Sequence, residues 1–449
     1  MRIFINVFLL SFLIVSETVI SQQFSDAKSS DYVVSAKAFV DLLAKKDFES
    51  AVRYYDTTMK TALPEDKLKE AWTSLITQAG VFKRQVGTRT EESSGYRVVF
   101  VTCEFEKASV DIKVVFNQAK QVAGLFFVPV NTSGEYSPPG YVKPNVFLEK
   151  EVTVGKGEWA LPGTLTVPKG PGSYPAVVLL HGSGPNDRDE TVGPNKPFRD
   201  LAWGLASQGI AVLRYEKRTR QYASKIWQTK AQFTVKEETV DDALAAVALM
   251  RKTEGIDSKK IFVLGHSLGG MLIPRIGVRD AGIAGFIVLA GATKPLEDSI
   301  IEQMTYIFSL EGKISDEEKK KLEEIKQLAA KIKNLKPSDA ASSVNLLGAP
   351  ASYWLDLRGY NPPEAAKKLQ QPMLILQGER DYQVTMADFQ KWKTALSSRG
   401  DVTFKSYPKL NHLFIEGNGK SSPSEYNISG HVAEVVIIEI SSWIKKQRE

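Results

Sequence analysis

A chain of 449 residues, 43% apolar and 24% charged, is long enough for two cores and has the composition of an ordinary globular protein. Its net charge of +6 is scattered, with basic residues beside acidic ones as in Lys319-Lys320-Lys321 ahead of Glu323-Glu324, so no clustered basic face speaks for a nucleic-acid partner. The single cysteine, Cys103, rules out an intrachain disulfide.

Arg2 precedes an apolar run, Ile3 to Val15, that has the length of a signal-peptide core and is short for a bilayer span. Val19 and Ser21 fit a small-residue cleavage site. Residues 1–21 are therefore expected to be a signal peptide, with Gln22 as the mature start and a secreted or periplasmic protein as the result. A retained anchor is the alternative; once the signal is removed, no stable membrane span is expected.

Residues 22–128 read as a small α+β unit. Tyr32, Ala36, Phe39, Val40 and Leu43 share one helical face, Phe48, Val52 and Tyr55 a second, and Pro64 opens a third helix with Leu68, Trp72, Leu75 and Ile76 inward. The period then changes to two: Val110, Ile112, Val114 and Phe116 alternate with Asp111 and Lys113. Strands are also expected over 82–90, 96–106 and 121–128. This layout resembles the cone-shaped domains, similar to nuclear transport factor folds, found ahead of some bacterial hydrolases.

Residues 129–147, with Pro138-Pro139-Gly140, read as a linker. From 148 to 449 the chain alternates short apolar strands (176–180, 210–214, 261–264, 285–289, 373–376, 402–407) with helical patterns. That alternation implies an α/β fold with a mostly parallel sheet covered on both faces, preceded by an antiparallel start over 149–154 and 159–167. One connection, between 289 and 373, is far too long for a loop. Within it, Ser315 and Glu318 form a capping-box pattern ahead of the apolar face Leu322, Ile325, Leu328, Ala329, Ile332 and Leu335. A helical lid over about 296–345 is expected.

Gly265-His266-Ser267-Leu268-Gly269 follows a strand and opens an apolar helix. In that setting G-x-S-x-G is a sharp turn that thrusts a serine hydroxyl out at the carboxyl end of a sheet, and Ser267 is the candidate nucleophile. His181-Gly182-Ser183-Gly184 follows an earlier strand, so backbone N–H groups of Gly182 and Ser183, with that of Leu268, are candidate oxyanion-hole donors. The chain has four histidines. His181 belongs to that loop, His266 adjoins the nucleophile with its side chain directed elsewhere, and His431 begins the last helix. His412, after the final strand, remains as the base. Asp381 follows strand 373–376 and is the candidate orienting acid, with Glu379, Glu297 and Asp298 as weaker rivals.

These motifs identify residues 148–449 as similar to the α/β-hydrolase superfamily. The run from His181 to Thr191 and the loop Gly378–Tyr382 resemble a bacterial carboxylesterase branch near the dienelactone hydrolases and acylaminoacyl peptidases. The resemblance implies ester cleavage through an acyl-enzyme without a cofactor or metal, a small-molecule ester as partner, and Ser267 where dienelactone hydrolases use cysteine. A serine peptidase and an inactive binding protein on the same fold are the rival readings. The run Asp187-Arg188-Asp189-Glu190 is expected to be a solvated or mutually paired loop. Oligomeric state is not legible in the sequence.

Overall fold

A computed structural model describes residues 26–447 of the chain apart from 94–95, 131–135, 229–232, 311 and 343. The segment read as a signal peptide lies outside the described residues, as do residues 131–135 of the linker. The chain forms two compact units that divide between Thr132 and Ser133.

Among the described residues the first unit has four helices, α1 (Asp26–Ala44), α2 (Phe48–Val52), α3 (Thr57–Ala62) and α4 (Glu65–Ala79), one more than the sequence pattern implied. The extra helix, α3, is six residues long and buries only Met59; Asp56 caps it by accepting from the Met59 N–H at 2.8 Å. Four strands follow, β1 (Phe82–Ser93), β2 (Tyr96–Phe105), β3 (Ser109–Phe116) and β4 (Val122–Pro129), in an antiparallel sheet of order β1-β2-β3-β4. Register pairs Val99 with Val114, Val101 with Ile112 and Cys103 with Val110, so these side chains share one face. They pack with Phe39, Val40, Leu43 and Trp72 from the helices in a single core. Cys103 is fully buried there, and burial pushes its thiol up to about 12.

The second unit is built on eight strands: β5 (Phe147–Val154), β6 (Leu161–Pro168), β7 (Tyr174–Leu180), β8 (Ala211–Tyr215), β9 (Ile256–His266), β10 (Gly285–Leu289) and, after a two-stranded hairpin β11 (Asn345–Leu346) and β12 (Ala349–Pro350), β13 (Met373–Gly378) and β14 (Val402–Tyr407). The sheet order is β14-β13-β10-β9-β7-β8-β6-β5. It is antiparallel where β6 meets β5 and β8, and parallel from β8 to β14. The mostly parallel α/β-hydrolase sheet expected from the sequence is the one observed.

Helices α5 (Pro197–Ser207), α6 (Arg218–Gln221), α7 (Ala223–Gln228), α8 (Asp242–Met250), α9 (Leu268–Arg279), α10 (Leu296–Ser309), α11 (Asp316–Lys333), α12 (Ala351–Leu357), α13 (Pro362–Ala366), α14 (Met386–Ala395) and α15 (Glu434–Lys446) complete it. Val177 and Leu179 of β7 face a layer holding Phe198, Leu201 and Leu205 of α5 and Ile437, Ile440 and Trp443 of α15. Ala176, Val178 and Leu180 face Val247 and Met250 of α8, Ile273 and Ile276 of α9, and Phe389 and Trp392 of α14. Burial on both faces is why these strands read as unbroken apolar runs.

Three local expectations change. The helix read from 235 opens with a π-helical turn, Lys236–Asp241, before α8. His431 precedes α15 by three residues, and its Nδ1 lies 3.1 Å from Asp200 Oδ1. The described end of the linker is docked on the second unit: Tyr136 donates to Asp200 at 2.5 Å, and Tyr141 to the Val432 carbonyl at 2.8 Å.

Candidate active site

The turn at Ser267 is made by close packing that only glycine permits. A Cβ on Gly265 would lie 2.3 Å from the Gly269 carbonyl carbon, and one on Gly269 would lie 2.4 Å from the Leu180 carbonyl oxygen. Strands β7 and β9 and the first turn of α9 therefore meet with backbone against backbone. Ser267 between the two glycines has φ 53° and ψ −112°, a strained conformation for a residue with a side chain. Its N–H is tied to the Leu289 carbonyl of β10 at 2.9 Å. The flanking residues are buried while Ser267 itself is partly exposed.

Asp381 and His412 come from the loops after β13 and β14. These loops cross at Gly378, where a Cβ would lie 2.5 Å from the Leu410 carbonyl oxygen. Asp381 Oδ1 accepts from the N–H groups of Gln383 and Val384 at 2.7 and 2.9 Å, which aims Oδ2 at His412 Nδ1, 2.6 Å away. Both side chains are buried. A carboxylate can only accept, so Nδ1 carries the proton and Nε2 keeps a free lone pair. Asn411 shapes the histidine loop by accepting from Leu413 and Ile415 N–H, and Arg380 binds the Gly419 and Asn418 carbonyls and Glu425. Two of the rival acids are engaged elsewhere: Glu379 accepts from Ser406 at 2.7 Å, and Asp298 pairs with Lys333. Among the described residues, no hydrogen bond joins Ser267 Oγ to His412.

The loop after β7 is held from both sides. Gly182 approaches Ser267 so closely that a Cβ on it would lie 3.2 Å from the serine Cβ. Its carbonyl accepts from Lys217 Nζ at 2.7 Å and from Asn186 Nδ2 at 3.2 Å. Its N–H donates to Glu190 Oε1 at 2.5 Å. That bond corrects the expectation that Gly182 is an oxyanion donor, because a carboxylate already occupies the N–H. The N–H groups of Ser183 and Leu268 have no acceptor among the described residues.

Two buried ion pairs flank this loop, and sequence reasoning missed both. Lys217, 2% exposed, lies 3.3 Å from Glu238 Oε1, which also accepts from Thr219 at 2.7 Å. Its only sequence signal was a lysine just past a buried strand. Glu190 Oε2 lies 2.9 Å from His266 Nδ1, and His266 Nε2 lies 3.0 Å from the His412 carbonyl. Burial opposes charge on both partners, but each partner's charge and hydrogen bonds outweigh it. The His266 pKa is raised and that of Glu190 lowered. The rest of the run pairs outward and not with itself: Arg188 with Glu151 and Glu216, Asp189 with Lys196, Arg199 and Arg214. Apart from Lys196, these paired side chains line a polar crevice of about 420 Å³ that contains none of Ser267, Asp381 and His412. Among the described residues no three His, Cys, Asp or Glu are grouped to hold a metal ion.

The sequence pattern of a family described as serine aminopeptidase, S33, matches residues 176–417, and that of a family of unknown function, DUF3887, matches residues 36–125. The chain is 41% identical over 408 residues to Esterase EstD of Thermotoga maritima, across 91% of this chain and 94% of that one. Solved structures similar to it include the Pyrococcus horikoshii acylaminoacyl peptidase, 13% identical with a TM-score of 0.45, covering 81% of this chain and 56% of that one. Est1E from Butyrivibrio proteoclasticus is 17% identical with a TM-score of 0.41, over 66% of this chain and 98% of that one.

Proposed function

We infer the activity from one premise: the chain belongs to the serine aminopeptidase S33 family of hydrolases. It is a serine-hydrolase-type enzyme, and its proposed reaction is cleavage of carboxylic esters by acyl transfer through Ser267. The observation that carries this reading is the 2.6 Å bond between Asp381 and His412, on loops that end beside the strained serine turn. In the proposed reaction His412 Nε2 takes the Ser267 proton as Oγ attacks the ester carbonyl. The oxyanion is held by the N–H groups of Ser183 and Leu268. His412 then protonates the departing alcohol, and a water activated by the same histidine releases the acid.

Esters are favoured over peptides for two reasons. The relative that spans most of the chain is an esterase. An aminopeptidase also needs an unpaired carboxylate for the substrate ammonium, whereas Glu190 and Glu238 beside this site are already matched with His266 and Lys217. Ser267→Ala and His412→Ala are each expected to lower kcat by roughly 10⁴ to 10⁶, and Asp381→Asn by less. Ester turnover of each folded variant checks this, and His412→Ala at near-normal kcat would remove the assignment. An acetyl ester should be turned over faster than an aminoacyl anilide; the reverse order would favour the peptidase reading.

Export is proposed from the first 21 residues. Sequencing the mature N-terminus should return Gln22, and an intact Met1 on the mature protein would contradict it.

A further inference from the structure

We propose that Glu190 and His266 are positioning residues, a buried pair that sets the oxyanion loop, the serine turn and the histidine loop in register for acyl transfer. The inference rests on ester hydrolysis at Ser267 and adds to it two residues outside the Ser267, His412 and Asp381 set.

Each end of the pair grips a different part of the site. Glu190 Oε1 accepts from Gly182 N–H, which fixes one face of the planar peptide leading into the oxyanion loop. Lys217 and Asn186 hold the Gly182 carbonyl. That carbonyl shares a rigid peptide with the Ser183 N–H, so the donor's direction follows from these grips. Glu190 Oε2 faces His266 Nδ1, whose residue immediately precedes the nucleophile. His266 Nε2 faces the His412 carbonyl, an acceptor only, so Nε2 carries a proton and holds the base's own backbone. The two imidazole rings lie 4.6 Å apart.

Glu190 reaches inward at a local backbone cost, with φ at 51° in a residue that is 3% exposed. A surface loop needs neither a left-handed glutamate nor a buried charge. Its neighbours Arg188 and Asp189 are paired without it, with Glu151 and with Arg214. Behind the pair, Phe198, Leu201, Leu289, Phe414 and Val432 line a space that holds one water at most, so the pair has little room to rearrange.

The test measures kcat and KM on an acetyl ester, with thermal unfolding, for wild type, Ser267→Ala, Glu190→Ala, Glu190→Gln, His266→Ala and the double alanine variant. Glu190→Ala is expected to lower kcat about 100-fold, as loss of an oriented oxyanion donor does, while KM stays within about threefold. His266→Ala should fall by about 10-fold or more, since it frees the His412 carbonyl but leaves Glu190 on Gly182. Glu190→Gln should recover kcat to within about tenfold of wild type. Its amide oxygen still accepts from Gly182, and its amide nitrogen donates to a neutral His266 that keeps the Nε2 proton. The double variant should fall no further than Glu190→Ala, because the pair acts as one unit.

Near-wild-type kcat in Glu190→Ala, a loss carried by KM alone, or Glu190→Gln as poor as the alanine would overturn the proposal. Should Glu190→Ala fail to fold, the isosteric glutamine variant and His266→Ala decide it by the same criteria. An active wild type silenced by Ser267→Ala but indifferent to Glu190→Ala overturns this inference alone. An inert wild type overturns the ester reading and this one with it.

Discussion

Ser267 holds a conformation that costs about 1–3 kcal/mol, and the glycines around it show how the fold sustains it. Because Gly269 presses on the Leu180 carbonyl, Gly269→Ala forces backbone apart from backbone. It should destabilise the second unit by about 3 kcal/mol or more, or prevent folding, as urea titration would show. His181 gives a second expectation. Burial lowers its pKa from 6.5 to about 4, only partly offset by Glu190, and it stays neutral between Phe198 and Tyr215. Between those two values the unfolded chain binds a proton that the folded chain refuses, so stability rises with pH. The contribution is complete above pH 6.5 and is lost as pH falls toward 4, by about 3 kcal/mol in all. His181→Phe, which keeps the ring packing, should flatten that part of the pH–stability curve; an unchanged slope between wild type and variant would mean other groups dominate. The residue types at Ser267, His412 and Asp381 were legible because each sits in a loop that directly follows a strand. The Glu190–His266 pair was not, since it joins residues 76 positions apart and no local pattern encodes such a contact.

Among the elements, α10 and α11 open the long connection after β10, and they make different contacts. The capping box at Ser315 and Glu318 is present, and α11 buries Leu322, Ala329 and Ile332. Ile332 packs with Leu346 and Trp354, and with Leu296 and Ile300 of α10. Helix α10 instead reaches the loop of Asp381: the Tyr306 ring stacks on Tyr382 at 5.1 Å, and Gln303 Nε2 donates to the Gln383 carbonyl at 3.2 Å. A lid role is therefore proposed for α10, with α11 as its support. Tyr306→Ala should lower kcat/KM for a decanoyl ester more than for an acetyl ester, whereas an even loss along the series would reduce α10 to shielding. The strand and helix alternation was readable because buried parallel strands and amphipathic helices have distinct periods. Helix α3 and the π-turn at Lys236–Asp241 were not, the first being too short for a period and the second differing from an α-helix only in its hydrogen-bond register.

At the scale of the whole molecule, every proposed site residue lies in the second unit, and the docked Tyr136 belongs with it. A chain beginning at Ser133 is therefore expected to keep kcat for short esters within the same order of magnitude. Complete loss in a demonstrably folded truncation would count against this. The linker was legible as a break in pattern but not as a docked segment, because its anchors, such as the Tyr136 and Tyr141 hydroxyls, reach acceptors far off in the chain. Cys103 turns this division into a measurement. The chain's single thiol is sealed in the core of the first unit, and the proposed ester site lies in the second. An aromatic disulfide reagent would then colour only when the first unit opens, clocking its breathing on an intact enzyme whose catalysis independently reports the other. One chain thus carries two separate stopwatches.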